Sequence, residues 1–125
     1  MARKESPVLT EAELRLMDVL WTRGPSTVNE VLEALPKDLP LAYNTVLTTL
    51  RILEDKGYLS HEKDGRAFVY APTVEREKAR QSALRMLLSR FFDNSAEQLV
   101  HNLLKNEKLS RGEMQRLKKM IEEAK

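Results

Sequence analysis

Residues 41–80 read LAYNTVLTTLRILEDKGYLSHEKDGRAFVYAPTVEREKAR, and a change of period inside this run decides the fold. From Ala42 to Gly57 the apolar side chains return every three or four residues, and Gly57 supplies the left-handed position that commonly closes a helix. Placed at steps of about 100°, Ala42, Val46, Thr49, Leu50 and Leu53 fall on one side, while Asn44, Thr48, Arg51 and Asp55 fall on the other. The period then drops to two. Residues 58–62 and 67–70 are short and rich in aromatic or β-branched types, and KDGR joins them with Asp64-Gly65 as a tight-turn signal, which predicts a hairpin.

Upstream, LTEAEL predicts a helix start: Thr10 caps, Glu13 reaches back, and Leu9 staples to Leu14. This helix should run to about Arg23 with Leu14, Met17, Val19, Leu20 and Trp21 as its apolar stripe, and Gly24-Pro25 should end it. A second capping box, TVNE at Thr27, opens a short helix with Val28, Val31, Leu32 and Leu35 on one face before the PKDLP connection. Three short helices followed by a hairpin is the order of a winged helix-turn-helix domain.

Downstream, three more helices are expected, over about residues 74–92, 95–105 and from 110 onward, with Ser95 and the SRGE box at Ser110 as start signals. Met86, Leu87 and Phe91 belong to the stripe of the first, Leu99 and Leu103 to the second, and Met114, Leu117 and Ile121 to the third. Stripes this narrow on a segment of about 50 residues do not close a core by themselves, so a second copy is the expected partner. The fold class expected is mainly α with a small β-hairpin wing: a winged-helix DNA-binding domain over residues 1–73, then a three-helix dimerisation domain over 74–125.

The 125 residues include no cysteine and two histidines far apart, His61 and His101, so neither a disulfide framework nor a zinc centre is expected. No glycine-rich phosphate loop, nucleophile elbow or HExxH motif occurs, which points away from an enzyme and from any cofactor. Nor is there a long apolar run or a secretory leader pattern, so no membrane partner is expected and the cytoplasm is the expected compartment. The formal net charge is +2, split unevenly: residues 1–74 hold nine basic against eleven acidic side chains, and residues 75–125 hold twelve against eight.

The polar side of the third helix carries the functional candidates. Tyr43, Asn44, Thr45 and Thr48 are short or flat hydrogen-bonding side chains where a solvated helix usually shows Glu and Lys. On the residues alone, an ordinary amphipathic helix and a DNA-reading helix are equally good accounts of this face. Taken alone, KDGR is likewise a solvated hairpin turn.

The pieces YNTVLTTLRILEDKG and KDGRAFVY, the Pro72 that closes the wing and the opening LTEAELRLMDVLW together resemble the BlaI/MecI penicillinase-repressor family of bacterial transcriptional regulators. The resemblance covers nearly the whole chain. It implies a homodimeric repressor that binds a palindromic double-stranded DNA operator through its winged helix and dimerises through its C-terminal helices. The third helix would then enter the major groove, with Asn44 reading adenine, Thr45 and Thr48 meeting base edges or a thymine methyl, and Tyr43 and Arg51 reaching the sugar-phosphate backbone. Lys63 and Arg66 on the wing become phosphate contacts. Copper-responsive relatives carry Cys-x-Cys pairs in the tail, and this chain has no cysteine. Penicillinase repressors are inactivated by a cut at an Asn-Phe bond. The matching position is Asn102-Leu103, which implies a sensor-linked protease as a further partner. From Asn44 to Arg66 the basic residues Arg51, Lys56, Lys63 and Arg66 are matched by Glu54, Asp55, Glu62 and Asp64, so no basic stripe is present and useful affinity has to come from pairing two monomers on one operator. The competing reading is a winged helix used as a protein-interaction adaptor without sequence-specific DNA binding.

Overall fold

The structure, a computed structural model, describes residues 9–38 and 41–124; Leu39 and Pro40 of the PKDLP connection lie outside the described residues. The element order is α1 (Glu11–Arg23), β1 (Ser26–Thr27), α2 (Val28–Ala34), α3 (Tyr43–Asp55), β2 (Leu59–Asp64), β3 (Ala67–Pro72), α4 (Arg76–Phe91), α5 (Ala96–Asn106) and α6 (Arg111–Glu123). Two compact units result, one ending at Leu84 and the other beginning at Arg85.

In the first unit the capping boxes form as the sequence reads. Thr10 and Glu13 cap α1 reciprocally, and Thr27 and Glu30 do the same for α2. The face of α1 that packs is set by Glu13, Leu16, Met17 and Leu20, all buried. Leu14, expected in the stripe, is exposed, and Leu16 takes the core position. The buried stripe is rotated because Glu13, a residue the apolar pattern skips, is buried and neutralised by Lys56 at 2.7 Å.

α3 buries Val46, Thr49, Leu50 and Leu53 as its period predicts. Ala42, expected on the same side, is exposed, because it is the N-cap and precedes the first helical turn. Gly57 at φ 90° lets the chain turn off the helix, and the Tyr58 amide closes on the Leu53 carbonyl at 2.9 Å.

The hairpin has a two-residue loop, with Asp64 paired to Ala67 and His61 to Tyr70. Gly65 alone of the loop residues has a positive φ, 64°, which gives the II′ form that suits the strand twist. A feature absent from the sequence reading is β1, which pairs Ser26 with Tyr70 and Thr27 with Val69 and makes a sheet of order β1-β3-β2. Thr27 thus serves as a strand residue and as the α2 cap at once. Leu16, Leu20, Val31, Leu50, Leu53, Tyr58 and Tyr70 fill the core between helices and sheet.

The first turns of α4 belong to this unit. The Trp21 indole donates to the Val74 carbonyl at 2.9 Å, the Arg76 guanidinium stacks on the Trp21 ring at 5.4 Å, and Ala79 is buried. The compact division therefore falls at Leu84, past the expected boundary after residue 73.

The second unit contains the end of α4 with α5 and α6. Ser95 caps α5, and Ser110 and Glu113 form the expected capping box on α6. Among the described residues from 85 to 124 none is buried. No helix among the described residues is long and apolar enough to cross a membrane.

Candidate nucleic-acid interface

The first two turns of α3 present Tyr43, Asn44, Thr45 and Thr48, all exposed. Opposite them, Val46, Thr49 and Leu50 anchor the helix in the core, which fixes its rotation about its axis. The Thr49 hydroxyl is spent on the Thr45 carbonyl at 2.7 Å, so it does not compete for outside partners. Unlike α1, α2 and α6, α3 has no side-chain cap and no acidic residue in its first turn. Its first amides keep their donors, and its dipole favours an anion.

Tyr43, Leu47 and Arg51 on α3 and Arg66, Ala67 and Phe68 on the wing line one groove of about 280 Å³, closed at its other end by residues 27–29. The structure thus brings Tyr43, Arg51 and Arg66 together. Asn44, Thr45 and Thr48 lie on the same helix outside that groove, and Lys63 stands at the outer part of β2, opposite Phe68. Burial of the Tyr70 phenol pushes its pKa up, and the charges of Glu54 and Arg51 on α3 act on it in opposite directions.

The structure pairs two residues to which sequence reading assigns no role at this site, Glu54 and His61. Glu54 on α3 lies 2.6 Å from His61 Nδ1 on β2, and the His61 ring sits 4.8 Å from Phe68 and 5.4 Å from Tyr70. The signal was available in principle: once Asp64-Gly65 fixes the turn, strand register puts His61 opposite Tyr70. Among the described residues no group of three metal-ligating side chains assembles around His61 or elsewhere.

In the second unit Leu87, Phe91, Leu103, Met114, Leu117 and Ile121 are exposed, Phe91 by 73% and Ile121 by 65%, while Met86 and Leu99 are half-buried. Leu103 and Leu117 help line an apolar groove of about 390 Å³ between α5 and α6. Asn102 and Leu103 lie inside α5, where Asn102 Oδ1 accepts from Asn106 Nδ2 at 3.0 Å.

A family model described as penicillinase repressor matches residues 9–123. The chain is 34% identical over 122 residues to the penicillinase repressor of Bacillus licheniformis, spanning 98% of this chain and 95% of that protein. It is 38% identical over 96 residues to the transcriptional regulator BlaI of Mycobacterium tuberculosis, spanning 74% of this chain and 70% of that one. Among solved structures, the solution structure of the DNA-binding domain of the repressor BlaI superposes with a TM-score of 0.53 at 37% identity, over 60% of this chain and 92% of that domain.

Proposed function

Because the chain belongs to the penicillinase repressor (BlaI/MecI) family, whose members are transcriptional repressors, we propose that it represses transcription as a homodimer bound to a palindromic operator. Each copy sets α3 in the major groove and the wing along the adjacent backbone. The observation that carries this reading is the exposed, carboxylate-free first turn of α3, whose Tyr43 shares one groove with Arg51 and with Arg66 of the wing. Asn44, Thr45 and Thr48 supply donors and acceptors for base edges, and Tyr43, Arg51, Lys63 and Arg66 supply backbone contacts. Aromatic and aliphatic anchors, which a protein-binding adaptor would need, are few on this face, where Tyr43 is the large exposed side chain at the helix start.

The exposed apolar side chains of α4 to α6 support dimerisation through the tail, and proteolysis at Asn102-Leu103 by a sensor-linked protease is the proposed end of repression. Selection of duplexes from a randomised pool by the full-length chain tests the reading. A palindrome with half-sites about one helical turn, roughly 34 Å, apart is expected. Failure to enrich any sequence would overturn it.

A further inference from the structure

The wing has little beneath it. Residues 60–68 are all exposed, so burial in the core anchors the hairpin only at its root, through Leu59 and Tyr70. Beyond that root, Glu54 in the last turn of α3 reaches His61 on β2 at 2.6 Å. A carboxylate only accepts, so Nδ1 of His61 carries the hydrogen. The imidazole is also seated against Phe68 and Tyr70 of β3. The link from Glu54 through His61 therefore starts on α3 and reaches both strands of the wing.

We infer that Glu54 and His61 are a positioning pair for DNA binding, fixing the wing against α3 so that Arg51 and Arg66 are held at one spacing for the DNA backbone. This rests on the operator-binding reading above. Neither residue needs to touch DNA: Glu54 faces His61 from α3, and Lys63 stands two positions along β2 on the same strand face.

Simple electrostatics and positioning give opposite signs, which makes the inference testable. Removing a negative charge beside a DNA-binding groove should tighten binding; removing half of a clamp should weaken it. The experiment measures binding of the full-length wild-type chain, Glu54→Ala, His61→Phe and the double variant to a duplex that the wild type selects from a random pool. His61→Phe keeps a ring between Phe68 and Tyr70 and loses only the bond to Glu54. Each single variant should bind about fivefold more weakly at an unchanged melting temperature, and the double variant no more weakly than either single. Glu54→Ala binding as tightly as wild type, or more tightly, would overturn the inference while leaving the repressor reading intact. A wild type that selects no duplex would overturn the repressor reading itself.

Discussion

Lys56 Nζ lies 2.7 Å from Glu13 Oε1, joining the C-cap of α3 to the first turn of α1 across 43 positions of sequence. The same carboxylate oxygen accepts the Thr10 amide at 2.9 Å, so one buried group closes a capping box and ties α3 to α1. Burial by itself favours the neutral acid, but the Lys56 ammonium and the Thr10 donors outweigh it and hold the Glu13 carboxyl below its usual pKa. Lys56 keeps partial access to water, so Glu13→Ala should cost about 1–3 kcal/mol, less than breaking a fully buried pair. Because the folded pKa is depressed, this contribution is complete above the ordinary glutamate range of about 4.3 and is lost as pH falls through the lower folded value. Denaturant melts of both proteins at pH 7 and pH 3 check it: the gap between them should narrow in acid, and a constant gap would remove the ion pair from the account.

Base reading and phosphate anchoring separate by mutation. Asn44→Ala or Thr48→Ala should lose about 1–3 kcal/mol at the preferred duplex and leave binding to random DNA nearly unchanged. Arg66→Ala should weaken both alike and reduce the dependence on salt. Titrations of each variant on the two duplexes at several salt concentrations decide the matter, and equal losses for Thr48→Ala on both would take α3 out of base reading.

The tail is proposed to supply the second half of the affinity. Ile121 is 65% exposed in the single chain, and Ile121→Asp should yield a monomer at micromolar concentration. A chain ending at Leu84 should also be monomeric yet folded, since it keeps the Trp21 bond to Val74, the Arg76 stack and the buried Ala79. Sedimentation of the three proteins is the measurement. With two DNA-binding units linked, the loss of affinity for a palindrome on monomerisation should reach roughly two to four decades.

The reversal between α4 and α5 is held by two consecutive residues with positive φ, Asp93 at 49° and Asn94 at 61°. Asparagine and aspartate tolerate this region better than other side chains, and their type at 93–94 matches the turn. Asn94→Val should therefore destabilise by about 1–2 kcal/mol, whereas Asn94→Gly should be neutral or mildly stabilising. Thermal melts at one fixed protein concentration distinguish them. Equal melting temperatures for the two variants would mean that backbone strain plays no part there.

Helix starts were legible in this sequence because their chemistry is local: Thr10 with Glu13, Thr27 with Glu30 and Ser110 with Glu113 each form the expected reciprocal pair within four residues. The wing was legible for the same reason, through Asp64-Gly65. What escaped depends on contacts between distant segments. β1 is two residues long and exists only because β3 offers it a ladder. The burial of Glu13 in place of Leu14 depends on Lys56, 43 residues away. In the candidate interface, Tyr43 stood out by residue type on the polar side of α3 and Arg51 and Arg66 came from the family resemblance, whereas the link from Glu54 through His61 to Tyr70 needs the hairpin register and the rotation of α3 together.

The proposed release by proteolysis requires α5 to open. The Asn102-Leu103 bond lies inside α5, with Asn102 bonded to Asn106 one turn on, so the helix has to open locally before an extended stretch can enter a protease. No residue of α5 is buried in the single chain, so that opening costs little packing there. Pairing of the tails would bury the stripes and raise the cost, which makes the monomer, or a loosened dimer, the better substrate. A cut at this bond removes Leu103, Met114, Leu117 and Ile121 from the DNA-binding unit while leaving α3 and the wing untouched. On the proposed mode of binding, the remaining unit would keep its groove contacts and lose the avidity of pairing. The resemblance implies a cut at an Asn-Phe bond, so Leu103→Phe should be cut at least as fast as the wild type. Mass spectrometry of the protein from induced cells gives the answer: a fragment ending at Asn102 is the expected product, and an intact chain that has left its operator would sink the proteolytic route.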